Sequence, residues 1–109
     1  MNTNTNTVRI VSLPHARKVL LACVASLRAA DLSADAISRL MREIVAFDEA
    51  SDGIAQCDAI GDFVTVVQDT CRMAGVDIIE VAAAYVAALD DFASDLYHEA
   101  QYIADQSDD

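Results

Sequence analysis

The stretch Asp58-Ala-Ile-Gly-Asp62-Phe-Val-Thr-Val-Val-Gln-Asp69-Thr-Cys-Arg-Met-Ala-Gly75-Val-Asp77 decides how the chain folds. Ile60, Val64, Val67 and Cys71 recur at steps of three and four, which is the spacing of one helix face. Phe63, Val66 and Met73 widen that row. The run Phe63-Val-Thr-Val-Val67 has the β-branched composition of a strand. The flanking apolar spacing stays helical and no second strand is available to pair with it, so a helix over about Ile54 to Ala74 is predicted. Gly75 suits the end of that helix, Asp77 suits the cap of the next, and Glu80 three residues on completes a capping box.

Outward from this helix, the same period repeats in both directions. Val19, Leu20, Cys23, Val24 and Leu27 define a first helix from about Pro14 to Ala30, with Ser12 as its cap. Ile37, Leu40, Met41, Ile44 and Phe47 define a second, from about Ala34 to Ala50, with Ser33 as its cap. Gly53 suits the left-handed position that would close it. Beyond Asp77 a last helix runs from Ile78 to about Ala104, with Ile79, Ala82, Val86, Leu89, Ala93 and Leu96 on its inner face. Val8 to Val11 reads as an extended arm. Four helices with short connections predict an all-α, antiparallel four-helix bundle. Residues 1–12 are expected as a flexible arm, 13–105 as the single domain, and 106–109 as a fraying acidic tail. Ala-rich helices with two-sided apolar faces predict a homodimer.

With 109 residues, one domain is the expected organisation. The net charge of -11 is distributed unevenly. Residues 1–30 carry four basic side chains and no acid, whereas residues 73–109 carry nine acids and neither Lys nor Arg. Such a surface repels nucleic acid directly and suits either solubility or a basic partner. Cys23, Cys57 and Cys71 have no paired spacing, so free thiols acting as small buried hydrophobes in a reducing cytoplasm are expected. No apolar run is long enough to span a membrane. His15 and His98 are isolated, and neither a Gly-rich phosphate loop nor a nucleophile motif is present.

Asp58 and Asp62 lie four residues apart, on one face of the central helix, and Asp69 continues nearly the same stripe. Two carboxylates at this spacing can share a hard cation such as Mg²⁺, with Glu43 on the second helix as the third ligand. The same residues also suit the solvated back of an amphipathic helix. Asp91, Asp95 and Glu99 form an acidic stripe on the last helix. Tyr85, Tyr97 and Tyr102 on that helix suit packing or a partner-binding face.

The segments Glu43-Ile-Val-Ala-Phe47-Asp-Glu-Ala50, Asp58-Ala-Ile-Gly-Asp62-Phe-Val and Ala74-Gly-Val-Asp77 resemble, in order and distance, the all-α nucleoside triphosphate pyrophosphohydrolases of the MazG and phosphoribosyl-ATP pyrophosphatase type. The resemblance covers roughly residues 34–90. It implies a dimeric or tetrameric helical bundle in which Glu43, Asp58 and Asp62 hold Mg²⁺ and cleavage falls between the α and β phosphates. Arg42 would contact phosphate and Asp69 would lie at the edge of the site. The chain departs from the pattern at Arg42, Ala46 and Ala55, each standing where the family places a glutamate or another acid. Two expectations follow. One is a divergent MazG-like domain that binds, and slowly hydrolyses, a nucleotide with Mg²⁺. The other is a non-enzymatic acidic protein, of phage or mobile-element type, that docks on a basic, nucleic-acid-handling partner through Asp91, Asp95 and Glu99.

Overall fold

A computed structural model describes residues 10–106, and within that span the side chains of Ile79 and of residues 103–106 are outside the description. The expectations for residues 1–9 and 107–109, and for Ile79 as an inner-face residue, fall outside it. The described chain is all-α, with helices α1 (Leu13–Ala29), α2 (Ala34–Glu49), α3 (Gly53–Ala74), α4 (Ile78–Val81) and α5 (Ala83–Gln106), and no strand. The β-branched run inside α3 is therefore helical: its residues Phe63, Val64 and Val67 are buried in the core, so packing outweighs local strand propensity.

Caps set most of the boundaries. Ser12 Oγ accepts the His15 N–H and Ser33 Oγ accepts the Ala36 N–H, both at 3.2 Å. Asp52 Oδ1 accepts the Ala55 N–H at 2.8 Å, so α3 starts at Gly53. Gly53 is thus the first residue of α3 and not the left-handed terminator of α2, a correction with a clear cause. A Cβ at Gly53 would stand 3.1 Å from the Ala100 Cβ, so the missing side chain lets α5 approach the start of α3 closely. Gly75 does take the left-handed conformation, at φ 71°; its N–H bonds Arg72 O and the Val76 N–H bonds Cys71 O, forming a Schellman motif. The same motif ends α1 with a non-glycine residue: Asp31 sits at φ 68°, with its N–H on Arg28 O and the Leu32 N–H on Leu27 O. Aspartate is one of the few side chains that tolerate this conformation, and burial of Leu32 over the helix end completes the motif.

The helix expected to run unbroken from Ile78 bends at Ala82, between α4 and α5. The ladder persists through the bend, with the Ala82 N–H on Ile78 O at 2.8 Å and the Val86 N–H on Ala82 O at 2.9 Å. Ala82 itself is buried in the core.

Helix α3 packs against both α2 and α5, and α1 closes the ring by packing against the same two helices. Phe63, Leu20, Leu27, Leu40, Ile44, Ile60 and Leu89 are the largest fully buried side chains, and they come from all four long helices. Met41 and Met73 leave the expected core, at 37% and 80% exposure. Both stand at the edges of stripes whose centres, Leu40 and Val67, are fully covered. Helical period locates the centre of a buried face but not how far a neighbour overlaps its edge.

Gly61 has a different standing from Gly53. A Cβ there would meet nothing within 4 Å, and the residue is exposed in mid-helix. Gly61→Ala should therefore stabilise the fold by about 0.5–1 kcal/mol through helix propensity alone, read as a rise in the urea midpoint at constant slope.

Candidate docking helix and the carboxylates of α3

Helix α5 owes its acidic face to simple spacing. Asp91, Asp95 and Glu99, at steps of four, are all exposed, and Tyr102, three residues beyond Glu99, is 65% exposed on the same side. Leu89 and Val86 bury the opposite side. Two ion pairs among the described residues lie elsewhere: Arg17 Nε to Asp48 Oδ1 at 2.9 Å, and Arg72 Nη2 to Asp69 Oδ1 at 2.6 Å. From residue 73 onward the sequence offers no Lys or Arg to neutralise α5. Of the three tyrosines of this segment, Tyr85 packs on the core, whereas Tyr97 and Tyr102 are exposed. Tyr97 accepts a hydrogen bond from Gln101 Nε2 at 3.0 Å and lies edge-on to the His98 ring. Of the three tyrosines that suit packing or a partner-binding face, Tyr102, three residues after Glu99, is the one that lies on the acidic stripe.

Two shallow grooves flank the C-terminal half of this helix. One, of about 420 Å³, lies between α5 and the start of α3. The other, of about 450 Å³, lies between α5 and residues 10–13. Leu96 and Glu99 line both. A third groove, of about 340 Å³, runs between the start of α2 and the end of α3, where Met73 is exposed.

The carboxylates of α3 are arranged differently. Asp58 and Asp62 are exposed on the side of the helix away from the Ile60, Val64 and Val67 row, and Glu43 is half-buried on α2. Among the described residues no three His, Cys, Asp or Glu side chains are placed together to hold a metal ion, so Glu43, Asp58 and Asp62 do not form a ready three-ligand set for Mg²⁺. Arg42 is exposed, and Asp69 is engaged by Arg72 one turn along the same helix. An exposed pair of this kind is worth about 0–1 kcal/mol.

The cysteines are free and buried. The Cys57 thiol donates to Ala93 O at 3.2 Å, linking α3 to α5. Burial raises the pKa of all three thiols above the usual range; for Cys23 burial, with a smaller contribution from Cys71, pushes it up to about 12. A raised folded value means that the contribution of this thiol to stability is complete below the unfolded pKa, about 8.5, and is lost as pH rises from there towards about 12. Stability should therefore fall with pH above about 8.5. Folded protein at pH 8 should also react with a thiol reagent at Cys23 at least ~100-fold more slowly than unfolded chain, followed by mass spectrometry.

Comparison with protein-family models, with curated proteins and with solved structures gives no significant match. No described helix is long and apolar enough to cross a membrane.

Proposed function

We propose that the chain is a non-enzymatic interaction protein whose last helix docks on a basic, nucleic-acid-handling protein. One observation carries this reading: Asp91, Asp95, Glu99 and the exposed Tyr102 occupy one side of α5, in a segment with no basic residue to offset them. Like charges four residues apart repel and weaken a helix by about 0.2–0.5 kcal/mol per pair, so the stripe does nothing for the stability of its own helix. A basic surface would relieve that repulsion, and an aromatic ring at the end of the stripe adds contact area where interfaces are enriched in tyrosine.

The test is affinity capture with wild-type protein and with Asp91→Asn/Asp95→Asn/Glu99→Gln. A basic protein retained by the wild type should be lost with the triple variant. Retention by both would remove the acidic stripe from the function.

The bundle is read as antiparallel, because Gly53 faces Ala100 while Cys57, further along α3, meets Ala93, earlier on α5. It is read as a homodimer through α2, where Met41 and Val45 are exposed one turn apart. Unpaired thiols suit a reducing cytoplasm.

The second reading, a MazG-like domain binding a nucleotide with Mg²⁺ through Glu43, Asp58 and Asp62, is favoured by two exposed carboxylates one turn apart on α3. Arg42 and Asp69 would flank its phosphates. Under the docking reading, millimolar Mg²⁺ with a panel of nucleoside triphosphates leaves the melting temperature unchanged. A rise of several degrees that disappears in Asp58→Asn/Asp62→Asn would favour the nucleotide instead.

A further inference from the structure

The two grooves beside α5 have a shared chemistry. The groove against residues 10–13 is lined by Ile10, Leu13, Phe92 and Leu96, with Asp95 and Glu99 beside them. The groove against α3 is lined by Ile54, Leu96 and Ala100, with Asp52 and Glu99 beside them. Among the described residues, every charged side chain in either lining is an acid: Asp52, Asp95 and Glu99. Leu96 is half-buried and, with Glu99, lines both, so the two grooves adjoin at these side chains of α5 and are taken together as an apolar track. A side chain at position 53 would press on Ala100 and Leu96, which line the second groove.

The geometry points to this track as the seat of a cationic amphipathic helix from a partner protein, one with leucine-like side chains on one face and Lys or Arg along its margins. The inference rests on the reading of α5 as the docking helix and adds what that reading lacks, an apolar anchor. Charge complementarity selects the occupant: an acidic rim of Asp52, Asp95 and Glu99 repels an anionic segment and attracts a cationic one. The apolar floor selects for side chains that a merely basic, unstructured tail does not have. An amphipathic helix laid in a groove meets both demands, with apolar anchors at steps of three and four and charges at the flanks. Charge alone at exposed positions contributes little and is screened by salt, so the apolar floor is what would give such a complex a useful lifetime.

The probes are three labelled synthetic peptides of equal length, read by fluorescence anisotropy with the full chain. The first has a leucine face flanked by lysines. The second keeps the leucine face but carries glutamates in place of the lysines. The third keeps the lysines but has serines in place of the leucines. The first should bind at least tenfold tighter than either of the others. Leu96→Gln should weaken it at least tenfold, and Asp90→Asn, ~140° round the helix from Asp95, should leave it unchanged. Val11→Gln repeats the test at a side chain 74% exposed, whose replacement does not disturb the core. Equal binding of the lysine peptides with and without leucines would overturn the groove while leaving the acidic docking helix standing. Equal binding of the lysine and glutamate peptides, or no binding of any, would overturn both. A dimer that dissociates in Leu96→Gln, seen by sedimentation without peptide, would assign the track to a second copy and overturn the partner helix.

Discussion

Phe63→Ala should cost about 3–5 kcal/mol, the largest loss of stability from any single truncation in this chain. Phe63 is the largest of the fully buried side chains, with no exposure, and it lies in the middle of α3, the helix that packs against both α2 and α5. Removing the ring forfeits its burial and leaves a cavity that three helices cannot close together without losing their other contacts. A domain of this size has about 5–15 kcal/mol in total, so the variant should melt roughly 15–25 °C lower or fail to fold. Phe63→Leu retains most of the volume and should cost less than about 1.5 kcal/mol. A loss below about 1 kcal/mol for Phe63→Ala would mean that α3 is not the centre of the core.

Neutralising Asp91, Asp95 and Glu99 together should weaken partner binding roughly threefold to 150-fold. Exposed charge pairs contribute about 0.2–1 kcal/mol each, and three of them sum to about 0.6–3 kcal/mol. The same variant should be as stable as the wild type or slightly more so, because two like-charged pairs four residues apart, 91 with 95 and 95 with 99, are removed. Binding and stability thus move in opposite directions. That separates a docking role from mere solubility, for which binding would not change, and from general damage, for which both would fall. Tyr102→Ala, at the end of the stripe, should add to the loss of binding without touching the core.

Much of the fold could be read from spacing and caps. Ser12, Ser33 and Gly75 sit where local chemistry places them, and the Ile60, Val64, Val67 and Cys71 row is buried as its period requires. Features set by distant residues could not be read this way. Gly53 suits a helix end when only its neighbours are considered, yet its role comes from Ala100 on another helix. The left-handed turn at Asp31 and the bend at Ala82 have no Gly or Pro to announce them. Met41 and Met73 have the right spacing for the core, but the adjacent helices do not reach them.

The candidate site divides along the same line. Three carboxylates at 43, 58 and 62 can be named from sequence, but whether they gather depends on rotations of two helices that period alone leaves open; the structure leaves Asp58 and Asp62 exposed and gives no three-ligand group among the described residues. The acidic stripe needs no such convergence, since Asp91, Asp95 and Glu99 share one helix and their spacing suffices. The grooves beside it are made by Gly53, Ile10 and Leu13 meeting α5, and only tertiary packing brings those residues there.

The central claim, that the acidic side of α5 is a docking surface for a basic partner, is tested most directly by the salt dependence of binding. The affinity of a captured basic partner is measured by calorimetry for the wild type and for Asp91→Asn/Asp95→Asn/Glu99→Gln, from about 50 to 500 mM salt, over which the Debye length shortens from about 14 to 4 Å. Wild-type affinity should fall roughly tenfold or more across this range, and the triple variant should start weaker and change far less. Equal affinities and equal salt dependence for the two proteins would contradict it.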